Sequence, residues 1–131
     1  MSEEILVPVS PGEVIDKMTI LRIKLKRMTD QAKLANIQKE LSLLETTWNS
    51  SRYASFDISA ETADLQSVNE RLWVIEDDIR DEERAKRFET KFIELARSVY
   101  IENDERAAIK KKINLKLGST LVEEKSYAAY R

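Results

Sequence analysis

Gly12 and Gly118 are the sole glycines of this 131-residue chain, and Pro8 and Pro11 its sole prolines. Tight turns and β-hairpins draw heavily on these two residue types. A chain with so few of them has few places to reverse direction sharply, which predicts long helices joined by short links. Apolar residues make up 42% and charged residues 35%. That apolar share is too large for a disordered chain and, at this length, suffices for one core. The expectation is an all-α fold in a single domain over residues 1–131, with an extended arm over 1–10 and a tail over 119–131.

Periodicity places four main helices. Ser10 can cap the first, Pro11 suits its first position, and Glu13 stands where a capping box needs a carboxylate. Val14, Met18, Leu21, Leu25 and Met28 form its stripe, so it should run to about Arg27. Asp30 can cap a second helix to about Trp48, with Leu34, Ile37, Leu41 and Leu44 inward. The link between them is short enough to force an antiparallel hairpin. Residues 49–59 show no period and read as a loop. A third helix should span about Ala60 to Glu83 on Leu65, Val68, Leu72, Ile75 and Ile79. The charged run Arg80 to Arg87 could end it or extend it. A fourth should run from about Phe88 to Leu117, with Gly118 as a left-handed stop. Together these make a bundle of two antiparallel hairpins. "ILVPVS" is β-branched and could pair with Leu121 and Val122 as a small terminal β ribbon. The tail carries enough apolar surface to dock.

The fourth helix contains an anomaly. At 100° per residue, Phe88, Phe92, Leu95, Val99, Ile113 and Leu117 fall within about 40° of one line. Arg106 and Lys110 fall within about 20° of it, and Asn103 within about 40°. Two cations and an amide thus interrupt an apolar stripe that is intact on both sides. A buried cation must be paired, snorkelling, or facing a wet cavity. Glu76 on the third helix and Lys17 on the first lie about 40° from their own stripes, Asn69 a little farther. If those faces meet, Lys17, Glu76, Asn103, Arg106 and Lys110 share the interior. One carboxylate against three cations would leave positive charge suited to a carboxylate or phosphate. The competing reading is structural: an outrunning helix end, a subunit interface, or a Glu76–Arg106 ion pair that sets register.

With no cysteine and no histidine, thiol and imidazole catalysis and ordinary zinc sites are excluded. So little glycine excludes a phosphate-cradling loop. A net charge of −2 gives no field toward nucleic acid, and the basic runs "RIKLKR" and "KKKINLK" lack interleaved aromatics for stacking bases. Asp77, Asp78 and Asp81 could hold Mg²⁺ for phosphohydrolysis, but Arg80 and Arg84 interleave with them, as on a solvated face. No cofactor is expected, no stretch resembles a signal peptide or a membrane span, and a cytoplasmic location follows as the expectation. Trp48 and Trp73 read as core or interface anchors.

The segments "PVSPGEVIDKMTILRIK", "LWVIEDDIR", "VYIENDERAAIKKKIN" and "LGSTLVEEKSYA" together resemble a family of small bacterial helical proteins, a domain of unknown function. The resemblance runs from Pro8 to Ala128. It implies a bacterial, helical, stand-alone domain and brings no activity or catalytic residue. Helical chorismate mutases, which bind a dicarboxylate among Arg, Lys and Glu, are an architectural analogy only. The preferred expectation is a non-catalytic binding or interaction module that forms a homodimer. The alternative is a binder of, or enzyme acting on, a small anionic ligand (carboxylate, phosphate or sugar nucleotide). Mg²⁺-dependent phosphohydrolysis is a weaker third.

Overall fold

The structure, a computed structural model, describes residues 3–130. The ends of the expected arm and tail, residues 1, 2 and 131, lie outside them. Four α-helices carry the fold: α1 (Pro11–Arg27), α2 (Gln31–Asn49), α3 (Ser59–Arg84) and α4 (Thr90–Lys116), with one 3-10 turn, Arg52–Ser55. The described residues contain no strand. The β ribbon therefore does not form. The two terminal segments meet through side chains instead, where Ser10 Oγ donates to Glu123 Oε1 at 3.2 Å.

Helix α1 begins with the expected Ser10 cap, while the Glu13 carboxylate turns to Lys110 instead of closing a capping box. Ser10 Oγ accepts from the Glu13 N–H at 3.2 Å, and Pro11 occupies the first turn where its missing N–H is harmless. Asp30 caps α2 through the Lys33 N–H at 3.1 Å. The three-residue link between them turns α2 back along α1. In α3 and α4 the antiparallel register is shown by Arg71 Nε to Glu102 at 3.0 Å and Lys116 Nζ to Glu61 at 2.7 Å. The hydrogen bond from Lys116 also holds the Glu61 carboxyl below its usual pKa.

Both long helices end in the same motif. At α4, Ser119 N donates to Asn114 O at 2.9 Å and Gly118 N to Leu115 O at 3.2 Å, with Gly118 at φ 66°. At α3, Arg87 N donates to Glu82 O at 2.9 Å and Lys86 N to Glu83 O at 3.1 Å. This six-to-one closure needs a left-handed residue. At α3 that residue is Lys86, φ 58°, so the charged run ends the helix without any glycine to announce it. Arg87 Nε then closes back on the buried Glu82 carboxylate at 2.8 Å.

Helix α1 is the centre of the molecule and contacts each of the other three helices. Its buried residues, Ile15, Met18, Leu21 and Ile23 with Asp16 and Thr19, cover much of its circumference, as a helix enclosed by neighbours requires. Ile37 and Leu41 of α2, Leu65 and Val68 of α3, and Ile109, Ile113 and Leu117 of α4 complete the core around it. That core reaches only to Leu72 on α3 and begins at Ile109 on α4. Beyond this level the α3–α4 hairpin projects as a two-helix arm of about 20 Å. Its seam residues Leu72, Ile75, Ile79, Phe92, Leu95 and Val99 are only half-buried.

Candidate functional site

The N-terminus of α1 and the middle of α4 are held together by backbone contact. A β-carbon on Gly12 would lie 2.5 Å from Lys110 O and 2.9 Å from Asn114 Oδ1. Only a glycine permits this approach. Asn114, fully buried, accepts from the Gly12 N–H at 2.7 Å. It thereby satisfies one of the first-turn donors that α1 cannot pair internally.

One turn further along, Asp16 is 0% exposed and is the hub of a polar network. Asn69 Nδ2 donates to its Oδ1 at 2.9 Å, and Arg106 Nε donates to the same oxygen at 2.9 Å. Arg106 Nη2 bonds Oδ2, making the two-point guanidinium–carboxylate contact that fits both planes. Asn69 Nδ2 also reaches Thr19 Oγ1 at 2.9 Å, whose hydroxyl donates to the Asp16 carbonyl at 2.7 Å. Asn103 Oδ1 lies 3.4 Å from Arg106 Nη1. Lys110 Nζ donates to Glu13 at 2.6 Å and to Glu123 at 3.1 Å, and stands 4.0 Å from Asp16.

Three of the five residues singled out in the sequence are thus brought together: Asn103, Arg106 and Lys110. The other two are elsewhere. Lys17 is exposed, because one step from Asp16 turns its side chain about 100° away. Glu76 pairs with Arg80 on its own helix. The α3 residue at the height of Arg106 is Asn69, and Glu76 lies about 10 Å farther up the arm at the helical rise. The acids that meet Arg106 and Lys110 are Asp16 and Glu13, which the stripe pattern of α1 did not single out. A signal existed: α1 carries apolar residues on nearly every side, so any polar residue on it is a candidate for burial.

The charge balance differs accordingly. The expected surplus of positive charge is not there, since Arg106 and Lys110 face Glu13, Asp16 and Glu123, three acids against two bases. The hydrogen bond from Arg106 to Asp16 raises the Arg106 pKa against the opposing effect of burial. At Lys110 burial is the largest single influence and lowers the pKa, but hydrogen bonds to Glu13 and Glu123 with their fields outweigh it, leaving the value raised. The amine is held protonated, without the lone pair a nucleophile or base needs.

A groove of about 1040 Å³ lies between α4 and the C-terminal segment. Tyr100, Asn103, Arg106 and Lys110 line it from the helix; Glu123, Tyr127 and Tyr130 line it from the segment. The segment docks mainly by charge: Glu124 on Lys111 at 3.3 Å and Lys125 on Asp104 at 2.9 Å. Tyr130 adds an edge-on contact with Tyr100, ring centroids 4.9 Å apart. Leu121 and Tyr127 remain exposed. Among the described residues no three acidic, His or Cys side chains are placed to share a metal ion, and no helix is long and apolar enough to cross a membrane. Asp81 bonds Arg84 at 2.9 Å instead.

No curated protein matches the chain, and no solved structure does. A family model does, over nearly the whole chain. This protein belongs to the family of unknown function DUF6165, whose model matches residues 5–130.

Proposed function

We propose that the chain is a non-catalytic interaction module whose α3–α4 arm pairs with the arm of a second copy. The observation that carries this reading is the arm itself. Two helices alone cannot enclose a seam, and the stable arrangement adds a further layer. Here Leu72, Ile75, Ile79, Phe92, Leu95 and Val99 stay half-buried, and Val74, Phe88 and Ile93 are exposed at 42%, 49% and 55%.

A second copy is favoured as the occupant because the arm's charges are segregated. Residues 72–84 of α3 hold six acids and two bases, net −4, whereas residues 86–100 hold four bases and two acids, net +2. A two-fold axis across the arms sets α3 of one protomer beside the oppositely charged flank of its partner, over a shared apolar seam. Four helices then surround what two leave open.

Sedimentation velocity tests this. The expected result is a dimer at micromolar concentration that Ile79→Glu converts to monomer, with helicity kept by circular dichroism. Ile93→Glu, at an exposed position, serves if Ile79→Glu does not fold. A strict monomer at high concentration, or a dimer indifferent to both substitutions, rejects the reading.

The second reading, a small anionic ligand in the groove beside Arg106 and Lys110, is supported by the lining of that groove with Asn103, Arg106 and Lys110. It has to contend with the carboxylates that already satisfy both cations.

A further inference from the structure

The acid that completes the Lys110 environment comes from a different kind of segment than the others. Glu13 and Asp16 are built into α1. Glu123 belongs to residues 119–130, which form no helix or strand. Both of its oxygens are engaged: Oε1 accepts from Ser10 Oγ at 3.2 Å, and Oε2 from Lys110 Nζ at 3.1 Å. Ser10 is 1% exposed and is fixed by its role as the cap of α1. The Lys110 side chain is 13% exposed and aligned by Glu13. Hydroxyl and ammonium are therefore rigidly placed, at the positive end of a 17-residue helix, where a carboxylate is favoured. The group that fills the place comes from a segment without helix or strand, held to α4 by side-chain contacts.

We infer that Ser10 and Lys110 form a carboxylate-binding seat, filled here by Glu123 of the chain's own C-terminal segment, and that an acidic peptide of the same pattern takes that seat in trans when the segment is released. The seat itself lies at the α1–α4 junction below the arm, and only the Tyr100 contact reaches the arm's base, so filling the seat does not require arm pairing.

The recognised class is a peptide rather than a small acid because the contacts are spread out. Glu124 on Lys111, Lys125 on Asp104 and Tyr130 on Tyr100 extend along α4 from residue 111 to residue 100, about 16 Å at the helical rise. No single small carboxylate spans that distance. An extended chain does, with an acidic pair at one end and an aromatic ring at the other. The exposed ion pairs along the segment are individually weak, so release is accessible. While attached, the segment acts at a local concentration of the order of millimolar, and a free peptide must compete with it.

The probe is a fluorescein-labelled peptide copying residues 119–130, its binding followed by fluorescence anisotropy on the full-length chain. Wild-type protein is expected to bind it weakly, and the double variant Glu123→Gln, Glu124→Gln about tenfold tighter, because its own segment no longer fills the seat. Adding Lys111→Glu, an exposed position, to the double variant should weaken binding about tenfold. Raising the salt concentration should do the same. Glutarate at about 10 mM should leave the peptide in place, since it reaches only one of the contacts. Equal peptide affinity for wild type and double variant, or no binding to either, overturns the inference. Displacement of the peptide by glutarate would overturn its assignment to peptides. A dimer lost to Ile79→Glu with peptide binding unchanged would keep the two proposals apart.

Discussion

Arg106 of α4 holds Asp16 of α1 across 90 residues of chain, with Nε 2.9 Å from Oδ1 and Nη2 on Oδ2. The pair is asymmetric: the Arg106 side chain is 29% exposed and the Asp16 side chain 0%. The acid is the group with no access to water, so its cation decides whether its burial is tolerable.

Arg106→Leu should therefore destabilise the fold strongly. Removing the cation leaves a buried charge supported only by Asn69, with Lys110 4.0 Å away. A cost of about 2–4 kcal/mol is expected, at or below the range for a broken buried pair because Arg106 is partly solvated. Combining it with Asp16→Leu should recover much of the loss, since an apolar pair no longer has a charge to desolvate. Urea denaturation of the two single variants and the double variant measures this. Arg106→Leu within about 0.5 kcal/mol of wild type would show the contact to be dispensable.

Gly12→Ala should separate α1 from α4. The added methyl would meet the Lys110 backbone carbonyl at 2.5 Å, and backbone cannot step aside as a side chain end can. The expected loss is about 2 kcal/mol or more, as for overpacked cores, with faster amide exchange at Gly12. Unchanged stability would mean that the helix start shifts freely.

Lys86→Gly should stabilise. Lys86 sits at φ 58°, where a β-carbon costs about 1–2 kcal/mol. Glycine removes that cost and gives back part of it through the unfolded chain. A net gain of about 0.5–1 kcal/mol in thermal or chemical denaturation is expected, with Lys86→Ala giving no comparable gain.

Lys110 sets an alkaline limit. Its folded pKa is raised by Glu13 and Glu123, so its contribution to stability is complete below the unfolded value. It is then lost as pH rises through the higher folded value. Melting temperatures from about pH 8 to about pH 12 should fall for wild type. The part of that fall due to Lys110 should be absent in Lys110→Met, which starts lower. Parallel curves for the two proteins would contradict this role.

The helices and their hairpin pairing were legible in the sequence because both are local matters. Ser10, Pro11 and Asp30 cap two helices and Gly118 stops a third, each judged from neighbours a few positions away. The end of α3 near Glu83 was legible from its period, but the residue that makes the stop was not, because Lys86 adopts a left-handed conformation that nothing in its side chain favours. The interruption of the α4 stripe by Asn103, Arg106 and Lys110 was also visible, since angular position along one helix is fixed by the 100° step. Glu76 illustrates where this stops: its angle on α3 suited Arg106, but angle carries no information about height.

The sequence by itself determined that this chain is all-helical and that two cations of α4 lie on the line of its apolar stripe. Both follow from the period of the helix and the scarcity of turn formers. Only the tertiary structure decided what those cations meet. The approach of α1 at Gly12 sets its height on α4, which aligns Asp16 with Arg106 and Glu13 with Lys110. The folding back of residues 119–130 brings Glu123 to Lys110 and Ser10. These are contacts between distant segments, and they depend on helix axes and offsets that no single helix's pattern contains.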